Sequence, residues 1–123
     1  QQVVDSPWVE GVLEYLQKYY QYKKFFLVTA TPQLEIEDIL SQLKIAKYFK
    51  QVVGSPTYKI EAVKVLLNRY NINPRHAVVI GDSNSDYEAA KANHITFILR
   101  KTVLNRQLQE QLNCQVIENF YNE

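Results

Sequence analysis

The sequence predicts an α/β protein in which a parallel sheet is covered by helices on both faces. Short apolar runs alternate with longer segments whose apolar residues recur at helical spacing, which is the pattern of strand–helix–strand units. The runs themselves are almost wholly apolar, as burial on both faces of a sheet requires. We therefore expect a three-layer, Rossmann-like arrangement.

Five apolar runs mark the predicted strands, and Gly, Pro or polar residues end most of them. They lie at residues 25–28, 51–53, 76–80, 96–99 and 114–117. In a doubly wound sheet such strands run parallel, so their carboxyl ends meet at one edge, where ligands bind. Residues that carry chemistry are therefore expected directly after these runs.

Helical spacing fills the intervals between the strands. Ser6 and Pro7 predict a helix start, with Ser at the N-cap and Pro at the first helical position, and Thr31 and Pro32 repeat this signature. The first helix is expected to reach about residue 20 and the second about residue 43. Further helices are predicted at residues 58–70, 85–92 and 103–112.

Composition narrows the class of protein. The 123 residues favour one domain, spanning residues 1–123, and 46% hydrophobic with 22% charged residues is typical of a folded globular chain. A net charge of +1 gives no reason to expect nucleic acid or a membrane as partner. Cys114 is the only cysteine, which favours a reducing, cytoplasmic setting. No apolar run approaches the ~20 residues that span a bilayer.

Polar side chains follow three of the predicted strands in a coordinated way. Thr29 follows the first strand, Lys59 lies just beyond the loop after the second, and Asp82 follows the third, with Asp86 four residues later. A hydroxyl, an ammonium and two carboxylates at one sheet edge suit a phosphoryl group with a metal ion. The Thr hydroxyl can bind a phosphoryl oxygen, Lys can neutralise negative charge, and carboxylates can hold Mg²⁺.

These residues and their order resemble motifs two, three and four of the haloacid dehalogenase superfamily. The match consists of Thr29 at a strand tip, Lys59 after a Gly-Ser-Pro loop, and the Gly-Asp-Ser-Asn-Ser-Asp run at residues 81–86. The resemblance extends over roughly residues 7–100 and is closest to phosphatase members. It implies Mg²⁺-dependent hydrolysis of a small phosphate monoester through an aspartyl-phosphate.

The resemblance also implies a role for each matching residue. Thr29 and Lys59 would act on the phosphoryl group as catalytic residues, and Thr29, Ala30 and Lys59 would bind it. Asp82 and Asp86 would hold the Mg²⁺ ion.

The first motif of the superfamily, Asp-x-Asp at the end of a central strand, is missing from this sequence. It supplies the nucleophile and a general acid/base. Asp5 is the only Asp before Thr29, and Pro7 occupies the position of the second Asp. We therefore interpret residues 1–5 as the return from an absent cap insertion and the chain as the C-terminal part of a catalytic core. No residue is Met, which agrees with a piece of a longer protein.

This interpretation predicts a sheet that is incomplete at its N-terminal side and a chain that is inactive alone. The strands at residues 25–28 and 76–80 would lose the neighbour between them, and a central strand buries several side chains worth roughly 1.5–3 kcal/mol each. An N-terminal segment, another chain or a rearranged sheet would have to complete the fold.

Three other readings stay open at the level of sequence. A relative that has lost its nucleophile would be a non-catalytic binding or regulatory module. An unrelated doubly wound domain, such as a receiver or flavodoxin-like module, predicts neither Mg²⁺ nor phosphate at Asp82. A dehalogenase acting without metal fits less well, because Asp86 and the phosphatase-like residues around it favour Mg²⁺. The sequence leaves the substrate and the oligomeric state open.

Overall fold

The computed structural model describes residues 2–4, 11–102, 105–112 and 114–117, with the backbone alone for residues 2–4. Its strands are β1 (Gln2–Val4), β2 (Phe25–Pro32), β3 (Phe49–Ser55), β4 (Val78–Gly81), β5 (Thr96–Arg100) and β6 (Gln115–Ile117). Its helices are α1 (Val12–Tyr19), α2 (Gln33–Gln42), α3 (Lys59–Arg69), α4 (Asn84–Ala92) and α5 (Arg106–Gln111). Short 3-10 turns occupy Ala46–Tyr48 and Pro74–His76.

All six strands are parallel, in the order β3-β2-β1-β4-β5-β6. Side chains alternate between the two faces of each strand. Phe25 and Leu27 join a buried cluster with α1 and α2, whereas Phe26 and Val28 join a second cluster with α3 and α4. The predicted three-layer α/β fold is therefore confirmed. Among the described residues, no helix combines the length and apolarity needed to cross a membrane.

The centre of the sheet differs from the sequence-based expectation. Instead of a gap between the second and fourth strands along the chain, β1 lies there and pairs in parallel with both: Gln2 is opposite Phe25 and Val4 is opposite Ile80. The expectation that these two strands lack a shared neighbour is therefore wrong. β1 fills this position with only three residues. Asp5, which follows, lies outside the described residues.

The predicted helix starts also need correction. Ser6 and Pro7 lie outside the described residues, and α1 begins at Val12, after Gly11 in a left-handed conformation with φ 80°. Thr31 does not cap α2. Strand β2 instead continues through Pro32, which is itself the N-cap and makes no side-chain capping bond.

A side-chain amide explains how β2 extends past the predicted break. The pairing of β2 with β3 shifts register between Val28 and Pro32. At this irregularity the Gln33 amide accepts from the main-chain N–H of Gly54 at 2.6 Å and donates to the carbonyl of Val52 at 3.0 Å. Gly54 is required there, because a Cβ atom would lie 2.5 Å from the Thr31 carbonyl oxygen. The bridge fixes the β2 end beside the loop that leads to α3.

Candidate active site

The candidate active site lies at the carboxyl edge of the sheet. Because all strands are parallel, β2, β4 and β5 end at this edge, and α3 and α4 begin there. The helices α3 and α4 pack against each other on one face of the sheet. This packing brings their first turns, which carry Lys59 and Asp86, to the same place.

Lys59 and Asp86 form an ion pair at the centre of the site. The Lys59 Nζ lies 2.8 Å from Oδ1 of Asp86, and the two side chains are 14% and 3% exposed. The residues are separated by 27 positions in sequence. A carboxylate this deeply buried needs a compensating charge and hydrogen bonds. Lys59 supplies the charge.

The start of α4 supplies the hydrogen bonds to Asp86. Its Oδ2 accepts from the main-chain N–H groups of Asp82 at 3.2 Å and Ser83 at 3.1 Å, and from the Ser83 hydroxyl at 2.7 Å. The Ser83 oxygen in turn accepts from the Asp86 N–H at 3.3 Å, which completes a capping box. A negative charge at a helix N-terminus is also favoured by the helix dipole. Asp86 therefore holds the whole loop at residues 81–86 in shape.

Asp82 has a different cation as its partner. The register of β4 and β5 places Gly81 opposite Leu99, so the next residues on the two strands are Asp82 and Arg100. A guanidinium nitrogen of Arg100 lies 2.9 Å from Oδ2 of Asp82, with the side chains 22% and 34% exposed. Oδ1 of Asp82 accepts no hydrogen bond from the described part of the chain.

Asn105 ties this pair to the turn before α5. Its side-chain amide donates to the carbonyls of Asp82 at 2.8 Å and Arg100 at 3.0 Å, and its oxygen accepts from the Thr102 N–H at 2.8 Å and from Gln109 at 2.6 Å. Asn105 is only 8% exposed. Four bonds from one buried amide fix the strand ends of β4 and β5 relative to each other.

We expect Asn105→Ala to lower the free energy of unfolding by about 2 kcal/mol, because it removes the four hydrogen bonds of a side-chain amide that is buried between β5 and α5. Urea unfolding measures this loss. Asn68→Ala, on the exposed face of α3, is the matched control and should change the free energy by less than about 0.5 kcal/mol. Equal losses in both variants would contradict the role given to Asn105.

Thr29 and Ala30 lie in the carboxyl half of β2, and no hydrogen bond among the described residues joins them to the two carboxylates. The Thr29 hydroxyl is buried within β2, lies 3.3 Å from the Thr31 hydroxyl and accepts from the Thr31 N–H at 3.2 Å. Ala30 lines the same cleft as Lys59, whereas Asp82 lines another. Of the predicted site residues, the structure thus joins Lys59 to Asp86 directly and places Thr29, Ala30 and Asp82 at the same edge of the sheet.

Two open clefts flank the loop at residues 81–86. One, of about 720 Å³, is lined mostly by polar residues, among them Asp82, Asn84, Arg100, Asn105 and Gln111. The other, of about 500 Å³, is mainly apolar; Ala30, Pro56, Tyr58, Lys59 and Ile60 are among its lining residues. Both volumes are within the range of small-molecule sites.

Sequence reasoning missed three residues that organise the site. Ser83 could have been found, because a Ser three positions before an acidic residue is the pattern of a capping box. Arg100 gave only the weak signal of a cation at a strand end. Asn105 gave no signal, since its partners depend on the register of β4 and β5 and on the turn between β5 and α5.

The two carboxylates of the loop fit the donor set that Mg²⁺ prefers. Among the described residues no group of three His, Cys, Asp or Glu side chains is placed to hold a metal. Mg²⁺ is commonly bound by one or two carboxylates, with water and substrate phosphate completing its shell. Oδ1 of Asp82 accepts no hydrogen bond from the described residues, and Oδ1 of Asp86 contacts Lys59 alone there. The chemistry of these oxygens is therefore compatible with Mg²⁺.

Comparison with known proteins identifies the class to which this fold and site belong. A family model described as haloacid dehalogenase-like hydrolase matches residues 3–100. The match covers most of the chain, so the chain belongs to the haloacid dehalogenase-like hydrolase family. The resemblance seen in the sequence motifs is confirmed.

Individual relatives narrow the comparison to phosphatases. The chain is 32% identical over 91 residues to a probable phosphoglycolate phosphatase from Pseudomonas putida, a match that covers 70% of this chain and 36% of the relative. It is 34% identical over 93 residues to a phosphorylated carbohydrates phosphatase from Thermotoga maritima, covering 72% of this chain and 42% of the relative. The matched regions thus cover less than half the length of these curated relatives.

A solved structure supports the fold. A haloacid dehalogenase-superfamily hydrolase from Ehrlichia chaffeensis superposes with a TM-score of 0.77 at 21% identity, covering 93% of this chain and 54% of the other.

Proposed function

We propose that this chain is the greater part of the catalytic core of a Mg²⁺-dependent phosphohydrolase that cleaves small phosphate monoesters. The observation that carries the proposal is the buried Lys59–Asp86 pair, held at 2.8 Å beside Asp82 at the carboxyl edge of the sheet. The Lys59 side chain is mostly buried but lines a cleft, where its ammonium can bind an anion. The phosphatases among the relatives support the reaction class.

Three residues of this chain would bind the phosphoryl group, each through a different group. Lys59 lines the 500 Å³ cleft together with Ala30. It would neutralise the phosphoryl oxygens as charge develops on them. The main chain at Ala30 and the hydroxyl of Thr29 would orient the phosphoryl group at the end of β2. These roles make Thr29 and Lys59 the catalytic residues that this chain supplies.

Asp82 and Asp86 would hold the Mg²⁺ ion. When bound, the ion would neutralise phosphoryl charge as a Lewis acid. Asp82 offers the more accessible oxygen, and Asp86 offers Oδ1, which it shares with Lys59. The hydrogen bonds from the Asp82 and Ser83 main chains orient the Asp86 carboxylate for this task.

The nucleophile of the reaction is the one catalytic group that we assign to a segment of the complete protein outside this chain. The chain contains no Asp-x-Asp, and the family mechanism forms an aspartyl-phosphate on the first Asp of that motif. We propose that this motif and the cap are encoded elsewhere in a longer protein, where the strand of the motif would take the central place that β1 holds here and the cap would select the substrate. With one cysteine in the chain, a reducing cytoplasmic setting remains part of the proposal.

We expect the purified 123-residue chain to bind Mg²⁺ and inorganic phosphate but to release no p-nitrophenol from p-nitrophenyl phosphate above the buffer rate. Calorimetry measures the binding and absorbance measures the release. Mg²⁺-dependent turnover that Asp82→Asn abolishes would contradict the assignment of the nucleophile to another segment. Assaying Asp5→Asn in parallel would then show whether Asp5 is the attacking group.

A non-catalytic module is the second candidate function. The observation that favours it is that both loop carboxylates already have internal cations as partners, Lys59 for Asp86 and Arg100 for Asp82. The coding sequence upstream decides between the two. A strand followed by Asp-x-Asp supports the phosphohydrolase, and an upstream region without that motif supports the module.

A further inference from the structure

The main chain fixes the geometry of the ion pair between Arg100 and Asp82, which is therefore not a chance surface contact. The residues follow the paired positions Gly81 and Leu99 on neighbouring parallel strands, so the sheet itself places them side by side. The Asn105 amide bonds to the main-chain carbonyls of both residues. The main chains of both residues are therefore fixed, and they hold the guanidinium beside the carboxylate.

Arg100 contacts the same carboxylate that the proposed metal site uses. Its guanidinium lies 2.9 Å from Oδ2 of Asp82. A dication bound to Asp82 would lie within a few ångströms of this positive charge, and like charges at that distance repel. Mg²⁺ must therefore either share Asp82 with Arg100 or displace it.

The surroundings allow Arg100 to move aside. Both members of the pair line the 720 Å³ cleft, together with polar side chains such as Asn84 and Gln111. The Arg100 side chain is 22% exposed, so its head can enter the cleft without crossing the packed core. The cleft then offers water and amide oxygens to the displaced guanidinium.

We propose that Arg100 is a resident counter-cation of Asp82 that sets the affinity of the site for Mg²⁺, and that Asn105 positions it. The inference rests on the proposed metal site. Without metal, Arg100 balances the carboxylate; with metal, it is released toward the cleft. Arg100 is thus a positioning residue that acts through Asp82.

The test is calorimetric titration of the full 123-residue chain with Mg²⁺. Arg100→Gln should bind Mg²⁺ about five- to tenfold more tightly than wild type, as expected for removal of one nearby positive charge. Arg100→Lys keeps the charge and should stay within about twofold of wild type. Arg106→Gln removes an exposed Arg from the first turn of α5 and controls for net charge, with no change beyond about twofold.

A second readout reports on Arg100 itself. The NMR signal of its side-chain N–H should shift on Mg²⁺ saturation, whereas that of Arg106 should not. Metal-free melting temperatures of all variants should agree within about 3 °C, because a partly exposed ion pair contributes little to stability.

The outcomes separate this proposal from the one on which it rests. Equal or weaker Mg²⁺ binding by Arg100→Gln, with wild type binding the ion, overturns the counter-cation role and leaves the metal site standing. Equal gains in Arg100→Gln and Arg106→Gln also overturn it, since net charge then explains the effect. Absence of Mg²⁺ binding in every variant overturns the metal site and this proposal together.

Discussion

Gly81→Ala is expected to destabilise the protein by about 2–4 kcal/mol and to remove Mg²⁺ binding, because no side chain fits between β4 and the start of α4. A Cβ atom at position 81 would lie 2.5 Å from both Cβ and Cγ of Asp86. Asp86 cannot retreat, since its carboxylate is held by Lys59, Ser83 and the Asp82 main chain. The added methyl group therefore forces the loop at residues 81–86 apart.

Urea unfolding and calorimetric titration with Mg²⁺ measure the two effects of Gly81→Ala. Gly11→Ala is the matched control, because Gly11 adopts a left-handed backbone at the start of α1. It should cost only about 1–2 kcal/mol and leave Mg²⁺ binding unchanged. If Gly81→Ala unfolds like wild type and still binds Mg²⁺, the close packing of Asp86 over Gly81 does not govern the site.

The sequence predicted the fold well, because the two signals on which it depends are local. Apolar runs predict buried strands, and the helical spacing between them predicts helical crossover connections. Together they leave a parallel sheet as the main possibility. The strand ends then place Lys59 and Asp86 at one edge, although 27 positions separate them in sequence. Their direct contact was not predicted, since it depends on how α3 and α4 pack.

The predictions failed where a short or irregular segment decides the structure. The missing Asp-x-Asp predicts a vacant centre of the sheet, whereas Gln2–Val4 form β1 there, a strand too short to give a periodic signal. The extension of β2 through Pro32 depends on the Gln33 amide, which replaces main-chain partners across a register shift. No local pattern of apolar residues predicts either feature.

The ion-pair partners of the two acids in the site were likewise not predicted from the sequence. The sequence analysis predicts that both acids of the loop bind a metal ion. In the structure, each of them forms an ion pair with a basic side chain. The buried acid, Asp86, pairs with a lysine, and the more accessible Asp82 pairs with an arginine on the next strand. Because the exposed pair is the weaker of the two types, a metal would exchange with Arg100 more readily than with Lys59.

Lys59→Met is expected to lower the free energy of unfolding by about 3–5 kcal/mol, because it leaves the carboxylate of Asp86 buried without its counter-charge. Met has a similar length and no charge, so the loss reports the ammonium rather than the volume. The same variant should lose binding of inorganic phosphate, since no other described lysine lines the cleft beside Ala30. Urea unfolding and phosphate titration measure the two losses.

A double-mutant cycle shows whether the Lys59 effect belongs to its pair with Asp86. Asp86→Asn alone should also destabilise, and the double variant should lose at least 1 kcal/mol less than the sum of the two, about the coupling of contacting charges. Lys64→Met, on the exposed face of the same helix, should change stability by less than about 0.5 kcal/mol and keep phosphate binding. Additive losses in the cycle would mean that the 2.8 Å contact contributes nothing. If Lys59→Met keeps its binding of phosphate, the phosphate site must be explained by a group other than Lys59.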